Sequence, residues 1–380
     1  MSNDFLIENA IVVTPERQFP GWVAIAEGKI EEIGEGIAPE RGYNFDGDLL
    51  IPGLVELHTD NLESHLKPRP KVDWPRRAAI VAYDMQLATA GITTVFDSLR
   101  VGHDADYAPL RDEVVHLLDE IDAARRLGLL RIHHHTHLRC EICAEDCVDS
   151  ARIVMDGHRV DLISLMDHTP GARQFVSMDA WRTYYGGKSG LNSEKLADLV
   201  ERKRELFSKN YRNHRESLVA LAHRKGIAIA SHDDATSSHV DESITDQVSV
   251  AEFPTTVEAA RLSHEASISV LMGAPNVVRG GSHSGNVAAE ALAREGVLDI
   301  LSSDYVPASL LMGAFELDRR IEGFGLVRAL RTVTINAARA AGIADRGAIE
   351  TGQVADMLRV RVVEGEPWVR ETYCKGQRIV

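Results

Sequence analysis

Between residues 51 and 350, short apolar runs alternate with stretches that carry helical signals. The first run, residues 49–55, is uncharged and typical of a buried parallel strand. Eight such strands are predicted, ending near residues 58, 97, 138, 166, 231, 253, 272 and 302, each followed by helix or loop. The alternation predicts the α/β class and a (β/α)8 TIM-type barrel, an architecture of roughly 250 residues.

Both ends of the chain have a different pattern, with short strand-like segments separated by turns. These are residues 5–13, 22–26 and 30–33 at the start, and 357–363, 368–373 and 378–380 at the end. We therefore predict one composite sheet module from residues 1–50 and 351–380, with residues 51–350 forming the barrel.

The composition narrows the function classes. The 380 residues are 44% hydrophobic and 26% charged, as in ordinary globular proteins, and the net charge is −15. This charge argues against general binding to nucleic acid or anionic membranes. There is no leader-like start and no apolar run near the ~20 residues that span a bilayer, so we expect a cytoplasmic protein with reduced cysteines.

Several predicted strands end in side chains that bind metals. In a barrel the carboxyl ends of the strands meet at one mouth, where catalytic groups lie. The spacing of His58 and Asp60 puts both on one face of a strand. The predicted ligands of one or two divalent ions are His58, Asp60, Glu141, His168, His232 and Asp304. The alternative is a structural, hydrogen-bonded role for His168 and His232 and an exposed loop position for Glu141.

A tract of histidines lies on the third predicted strand. His135 and His137 share the parity of Glu141 and could face the barrel interior, whereas His134 should face the helices. Which of them matters for a site stays open.

The donor set predicts a hydrolytic mechanism. Two metals about 3.5–4 Å apart would lower the pKa of a bridging water and clamp an electrophilic oxygen. Asp304, after the last strand, is the predicted general base and also a ligand. The sequence has no serine nucleophile elbow and no Walker loop, so direct attack by metal-bound hydroxide is the simplest mechanism.

Two loops suggest an anionic substrate. The segment RGGSHSGN, residues 279–286, follows strand seven and opens a predicted helix at Val287, a favourable arrangement for phosphate. Its predicted substrate-binding residues are Arg279, Gly280, Gly281, Ser282 and His283, and His283 could protonate a leaving oxyanion. Lys67 and Arg69, in a proline-stiffened loop, suit a polyphosphate. The alternatives are a flexible surface loop and a solvated loop.

Longer segments resemble known families. PGLVELHTD resembles the first-strand signature of the amidohydrolase superfamily, whose members are metal-dependent barrels with a β-sandwich made from both chain ends. GAIETGQVADMLRV resembles that superfamily's return into the sandwich. Further blocks resemble the PhnM family of the bacterial carbon–phosphorus lyase pathway: HTDNLESHLKPRPKVDWP, AGITTVFDSL, HLRCEI, SLMDHTPGARQF, ASHDDAT, AEFPTT, LMGAPNVVRGGSHSGNVAA and LSSDYVPASLL.

The PhnM resemblance implies hydrolysis of α-D-ribose 1-methylphosphonate 5-triphosphate to the 5-phosphate and pyrophosphate. The superfamily's carboxylated lysine has no counterpart, so Glu141 is the natural substitute. Glu252 occupies the strand-six position where many relatives carry a histidine ligand, which puts the second metal in question. Zinc is the first expectation, and iron or manganese also fits. A homo-oligomer and association with other phosphonate-pathway enzymes are further expectations.

Two other functions remain open from the sequence. One is cleavage of a C–N bond by a cyclic amidase or deaminase on the same scaffold. The other is a non-catalytic assembly protein, which would be expected to lose metal ligands.

Overall fold

The computed structural model describes residues 4–102, 113–171, 173, 193–282 and 285–380. Its first five strands lie near the N-terminus: β1 (Phe5–Val13), β2 (Gln18–Ala26), β3 (Lys29–Glu35), β4 (Tyr43–Asn44) and β5 (Leu49–Pro52). Strand β1 pairs with β2 antiparallel and with β4 and β5 in parallel. These strands form one half of the predicted sheet module.

The next eight strands form a parallel sheet in chain order: β6 (Leu54–Thr59), β7 (Ile92–Val101), β8 (His133–Glu141), β9 (Leu162–Met166), β10 (Ala228–His232), β11 (Val250–Glu252), β12 (Ser269–Gly273) and β13 (Ile300–Ser302). A parallel bridge between Thr59 and Asp304 joins the first strand to the residues after the last. The Thr59 hydroxyl donates to the Asp304 carbonyl over 2.6 Å. The predicted barrel is confirmed.

Twelve helices are described: α1 (Leu62–Leu66), α2 (Arg76–Thr89), α3 (Glu113–Arg126), α4 (Cys147–Gly157), α5 (Ser193–Lys225), α6 (Ser237–Thr245), α7 (Val257–Glu265), α8 (Ala274–Arg279), α9 (Ala289–Arg294), α10 (Ser309–Arg320), α11 (Leu326–Arg331) and α12 (Ile335–Ala340). Apolar side chains between these helices and the strands form the largest core cluster. A smaller cluster fills the barrel interior and includes Val55, Leu57, Phe96, Leu271 and Ile300. None of the described helices is both long enough and apolar enough to cross a membrane.

The segment after strand seven differs from the prediction. We expected a loop up to a helix starting at Val287, but residues 274–279 already form helix α8 and the next helix begins at Ala289. Pro275 favours a helix start, and Gly280 ends the helix with a φ of 81°. The predicted anion loop therefore begins at the carboxyl end of a helix, where the dipole does not favour anions.

The apolar run at residues 49–55 is not one strand, as expected, but two. Residues up to Pro52 pair with the sheet that both chain ends form, which we call the terminal sheet. Residues from Leu54 onward pair with the barrel. Gly53 lies at the junction, where a Cβ atom would be 2.1 Å from the Thr93 hydroxyl oxygen. Only glycine allows this close approach of barrel and terminal sheet.

The last three strands are β14 (Met357–Val363), β15 (Glu366–Cys374) and β16 (Gln377–Arg378). Strand β14 pairs antiparallel with β5, which completes a second sheet from both chain ends. Arg359 on β14 donates to Asp48 over 2.6 Å and to Glu371 on β15 over 3.0 Å, so an ion network also links the two halves. The predicted joining of the two ends is confirmed.

Candidate metal centre

Three donor side chains meet at the carboxyl ends of β6, β10 and β11. His58, His232 and Glu252 are all buried, and one ligand atom from each lies within 4.8 Å of the other two. Because these are strand ends of a barrel, the cluster lies at the mouth, above the apolar interior. The predicted convergence of His58 and His232 is therefore found, and Glu252 joins them.

Glu252 lies between the two rings. Its Oε1 atom is 3.1 Å from Nδ1 of His58, and its Oε2 atom is 3.1 Å from Nδ1 of His232. The Ser164 hydroxyl donates to Oε2 over 2.6 Å. Burial alone would raise the pKa of Glu252, but the nearby imidazoles of His58 and His137 and these hydrogen bonds hold it well below its usual value. The carboxylate is therefore ionised and fully engaged.

The position of Glu252 decides which ring nitrogens are left to bind a cation. Because Nδ1 of His58 and Nδ1 of His232 both face Glu252, the Nε2 atom of each ring is the remaining ligand nitrogen. Burial lowers the pKa of His58 to about 4, so this ring is neutral near pH 7. A neutral ring nitrogen with its partner held by a carboxylate is the common state of a metal-binding histidine.

A second donor group shares one ring with the first. His168, His232 and Asp233 also place ligand atoms within 4.8 Å of one another. Nε2 of His232 is 3.5 Å from Oδ2 of Asp233, an oxygen that is buried and has no hydrogen-bond partner. Asp233 has a φ of 57°, an uncommon backbone conformation for a residue other than glycine. An orphaned carboxylate oxygen beside two imidazoles fits a divalent cation.

Glu141 acts on this second group through His168. Its two oxygens lie 2.5 Å from Nδ1 and 3.1 Å from the backbone nitrogen of His168. Arg100 donates to the same carboxylate over 3.2 Å. Burial would raise the pKa of Glu141, but His168 and Arg100 lower it below its usual value. In the described contacts Glu141 orients His168, and its predicted role as a bridging ligand stays a prediction.

Asp60 and Asp304 lie beside these groups and belong to neither of them among the described donors. The register of β6 against β7 shifts between Glu56 and Thr59, and β6 ends at Thr59, one residue before Asp60, so the shared face of His58 and Asp60 stays a prediction. Burial and the Asp60 charge raise the pKa of Asp304 to about 6. Asp304, two residues after the end of β13, also has a φ of 55°, which is an uncommon backbone conformation for a residue other than glycine.

Arg139 is a site residue that the sequence reasoning missed. Its Nη1 atom is 3.9 Å from Oδ2 of Asp60, its Nε atom is buried without a hydrogen-bond partner, and its side chain is 17% exposed. Burial is the main cause of the lowered pKa of His58, and the positive charge of Arg139 lowers it further. The signal was available, because Arg139 shares the strand parity of His137 and Glu141.

The histidine tract is divided among different environments. His137 is fully buried, with Nε2 3.7 Å from Glu252 and its ring centroid 5.2 Å from that of His58. His134 faces helix α2, as predicted, where it contacts Asp84. His135 stacks on Phe96 at 4.8 Å. His137 is therefore the ring of the tract nearest the donor cluster.

The predicted substrate-binding residues lie in loops and at a helix end. Lys67 and Arg69 are exposed in the segment after α1. Arg279 is the exposed last residue of α8, and Gly280, Gly281 and Ser282 follow it. His283 lies outside the described residues. Their roles stay predictions.

Comparisons with known proteins agree with this fold. The model of the amidohydrolase family matches residues 49–379. The chain is 40% identical over 377 residues to a protein of Escherichia coli (strain K12) named alpha-D-ribose 1-methylphosphonate 5-triphosphate diphosphatase, covering 98% of this chain and 100% of that protein.

Solved structures share the architecture at low identity. N-isopropylammelide isopropylaminohydrolase from Burkholderia multivorans has a TM-score of 0.68 at 17% identity, covering 99% of this chain and 98% of that one. N-acetyl-D-glucosamine-6-phosphate deacetylase from Mycobacterium smegmatis has a TM-score of 0.65 at 16% identity, covering 99% and 100%. From the family match, the full-length relative and the fold, the chain is a hydrolase of the amidohydrolase family and belongs within it to the PhnM family.

Proposed function

We propose that the chain cleaves the α–β phosphoanhydride of α-D-ribose 1-methylphosphonate 5-triphosphate, giving the 5-phosphate and pyrophosphate in phosphonate catabolism. The observation that carries this proposal is the 40% identity, over 98% of the chain, to a protein whose name states that diphosphatase activity. The two buried histidines His58 and His232, oriented by Glu252, and the neighbouring donors His168 and Asp233 support a metal-dependent hydrolysis.

The residues of the mouth fit one or two divalent ions. His58 and His232 would hold an ion through Nε2, since Glu252 takes both Nδ1 atoms. His168 and Asp233 are the further donors of the second group. A divalent ion bound there would lower the pKa of a water and polarise a phosphoryl oxygen. Zinc is our first choice for this nitrogen and carboxylate set, with iron or manganese as the alternatives.

Asp304 is the proposed general base. Burial and the neighbouring Asp60 charge raise the pKa of its carboxyl to about 6, and a carboxylate in this position beside the donor groups can accept the proton of an attacking water. The Thr59 hydroxyl bonds its backbone carbonyl and fixes this residue at the junction of the first and last strands. The backbone of Asp304 is therefore fixed, and its side chain can take a proton from an attacking water without a movement of the main chain.

Arg139 is the proposed contact for a negatively charged substrate oxygen. Its guanidinium is mostly buried at the mouth and has an unused donor, while the only carboxylate paired with it in the described contacts, Asp60, is 3.9 Å away. A guanidinium can donate to a phosphate through two parallel hydrogen bonds. Lys67 and Arg69 remain the proposed contacts for the distal phosphates. The cytoplasmic location, homo-oligomer, pathway association and two-part domain division also stay predictions.

The test is product analysis with purified protein reconstituted separately with zinc, iron(II) or manganese. We expect pyrophosphate from the ribosyl triphosphate, no ammonia from cytosine and no ring-opened product from a cyclic amide, and the Asp304→Asn variant serves as the inactive control. Release of ammonia or opening of the cyclic amide, without pyrophosphate from the triphosphate, would overturn the proposal in favour of C–N bond cleavage. The structural likeness to C–N hydrolases, at 16–17% identity, shows the fold alone.

A further inference from the structure

A separate donor cluster lies at the opposite end of the barrel from the mouth. His133 is the first residue of β8, Asp356 immediately precedes β14, and Cys374 is the last residue of β15. These side chains place ligand atoms within 4.8 Å of one another, and all three are largely buried. The cluster thus joins the floor of the barrel to the terminal sheet.

Two partners converge on a single ring nitrogen in this cluster. Nε2 of His133 is 3.2 Å from the Cys374 sulfur and 3.2 Å from Oδ2 of Asp356. A nucleophilic Cys–His–acid relay requires the thiol and the acid on opposite ring nitrogens, so the arrangement is not a relay. One nitrogen carries one proton or one lone pair, and it cannot satisfy both partners fully.

Asp356 supplies an independent observation. Its side chain is 2% exposed, and its buried Oδ2 atom makes no hydrogen bond, although Nε2 of His133 and the Arg346 guanidinium lie within ion-pair distance of it. Its Oδ1 atom accepts a 2.8 Å hydrogen bond from the backbone nitrogen of Lys375 and lies 3.4 Å from Nε2 of His133. Oδ2 therefore has a free lone pair on the side of His133, where one cation could bind the ring nitrogen, the sulfur and this oxygen together.

We propose that His133, Asp356 and Cys374 form a second cation site, selective for zinc or another thiolate-preferring divalent ion. Imidazole, carboxylate and thiolate are all ligands of zinc, and the sulfur separates this site from a magnesium or calcium site. On binding, the Cys374 thiol releases its proton to solvent and the sulfur keeps the electron pair that it shares with the ion. A solvent molecule completes the coordination.

The surrounding charges accommodate a doubly charged ion. Arg346 lies 3.6 Å from Oδ2 of Asp356, but its guanidinium also pairs with Asp345 at 2.9 Å. That pair is neutral, and the neighbouring Lys375 is exposed to solvent, which screens its charge, so the Asp356 carboxylate and the Cys374 thiolate remain to balance a charge of +2. Since the ligands come from the barrel and from two positions of the terminal sheet, the ion would tie these two parts together.

Cobalt(II) distinguishes this site from the mouth by absorption spectroscopy. The full-length protein is stripped of metal with a chelator and titrated with Co²⁺ alone. We expect a charge-transfer band from the Cys374 thiolate to cobalt in the near ultraviolet. The two mouth groups contain no cysteine, so an ion bound there would not produce this band. The band should disappear in Cys374→Ser and persist in His58→Asn, whose lesion is at the mouth.

Controls separate this thiol from the others. Cys147→Ala, which changes a buried cysteine on α4, should keep the band. If Cys374→Ser fails to fold, His133→Gln replaces it, and zinc should protect Cys374 from alkylation at least about tenfold in the wild type but not in His133→Gln. Absence of the band in the wild type, or an equal band in Cys374→Ser, would overturn the proposal. Pyrophosphate release by the wild type is scored separately, so the two proposals fail independently.

Discussion

Oε2 of Glu252 lies 3.1 Å from Nδ1 of His232, a contact between the ends of two neighbouring barrel strands. The other oxygen of the same carboxylate makes the equivalent contact to His58. Glu252 thus stands at the strand-six position where many relatives carry a histidine ligand. In this chain its carboxylate orients two histidines instead. A carboxylate behind a metal-binding histidine fixes the ring and raises its basicity.

Replacing Glu252 by Gln should weaken metal binding. The amide cannot accept hydrogen bonds from both rings through two anionic oxygens, so the ring orientations are lost. We expect roughly a 10- to 100-fold loss of zinc affinity, measured by competition with a chromogenic chelator. The exposed Glu322→Gln serves as the matched control. An unchanged affinity would remove Glu252 from its orienting role.

Asp304→Asn should retain the fold and most of the bound metal but lose most turnover. The amide has the size of the carboxylate and cannot take the proton. A general base contributes roughly 100- to 10,000-fold, so kcat should fall within that range. Metal content and thermal unfolding are measured beside kcat, with the exposed Asp241→Asn as control. Near-normal turnover would exclude Asp304 as the base.

Arg139→Gln should reduce kcat/KM for the triphosphate. The substitution keeps polar character and removes the guanidinium charge at the mouth. A hydrogen bond to a charged group contributes about 1.5–3 kcal/mol, which corresponds to roughly a 10- to 100-fold loss. Steady-state kinetics are compared with Arg212→Ala, a change on the exposed face of α5. A variant that bound and turned over substrate normally would show that Arg139 only pairs with Asp60.

Lys67→Ala and Arg69→Ala should raise KM more than they lower kcat. Both side chains are exposed, so their loss does not disturb the core, and each would remove one cationic contact to a distal phosphate. The effect should diminish at high salt, because exposed charges are screened. Lys29→Ala, on the terminal sheet, is the control. If KM does not change, the two residues belong to a solvated loop.

His134 should make stability depend on pH. Burial alone would lower its pKa, but the carboxylates of Asp97 and Asp84 outweigh burial and raise the pKa from 6.5 to about 9. Because the folded pKa is the higher, this stabilisation is complete below about pH 6.5 and is lost as pH rises through about 9.

The variant His134→Gln measures this contribution. It should lower Tm most at about pH 6, and the difference from the wild type should shrink by about pH 9.5. The ring contacts Asp97 at 2.8 Å and Asp84 at 3.3 Å, and Arg131 lies 3.5 Å from the Asp84 carboxylate. A difference in Tm that stayed constant with pH would mean that the ring acts by packing alone.

The barrel was predictable because its signals are local. Apolar runs and helix signals along the chain mark each strand, and the polar residue after each run marks the mouth. His58 and His232 were found in this way, and the structure brings them together. The segment AEFPTT also identified the position of Glu252 but not its role, which depends on contact with a ring 194 residues away.

Other features depend on contacts that no local pattern carries. The break at Gly53 arises because β5 must pair with β14, more than three hundred positions later in the chain. Asp233 follows His232 in the chain and was not predicted as a ligand. Its importance comes from a buried oxygen that has no hydrogen-bond partner in the folded protein. The cluster of His133, Asp356 and Cys374 requires three segments that meet only in the folded protein.

The pairing of β5 with β14 imposes an order on biosynthesis. A nascent chain leaving the ribosome can form β1, β2 and β3 early, but the edge of β5 has no partner until Met357 has been added. An unpaired edge is a site for aggregation during that interval. Truncation before β14 would leave this edge of β5 permanently unpaired.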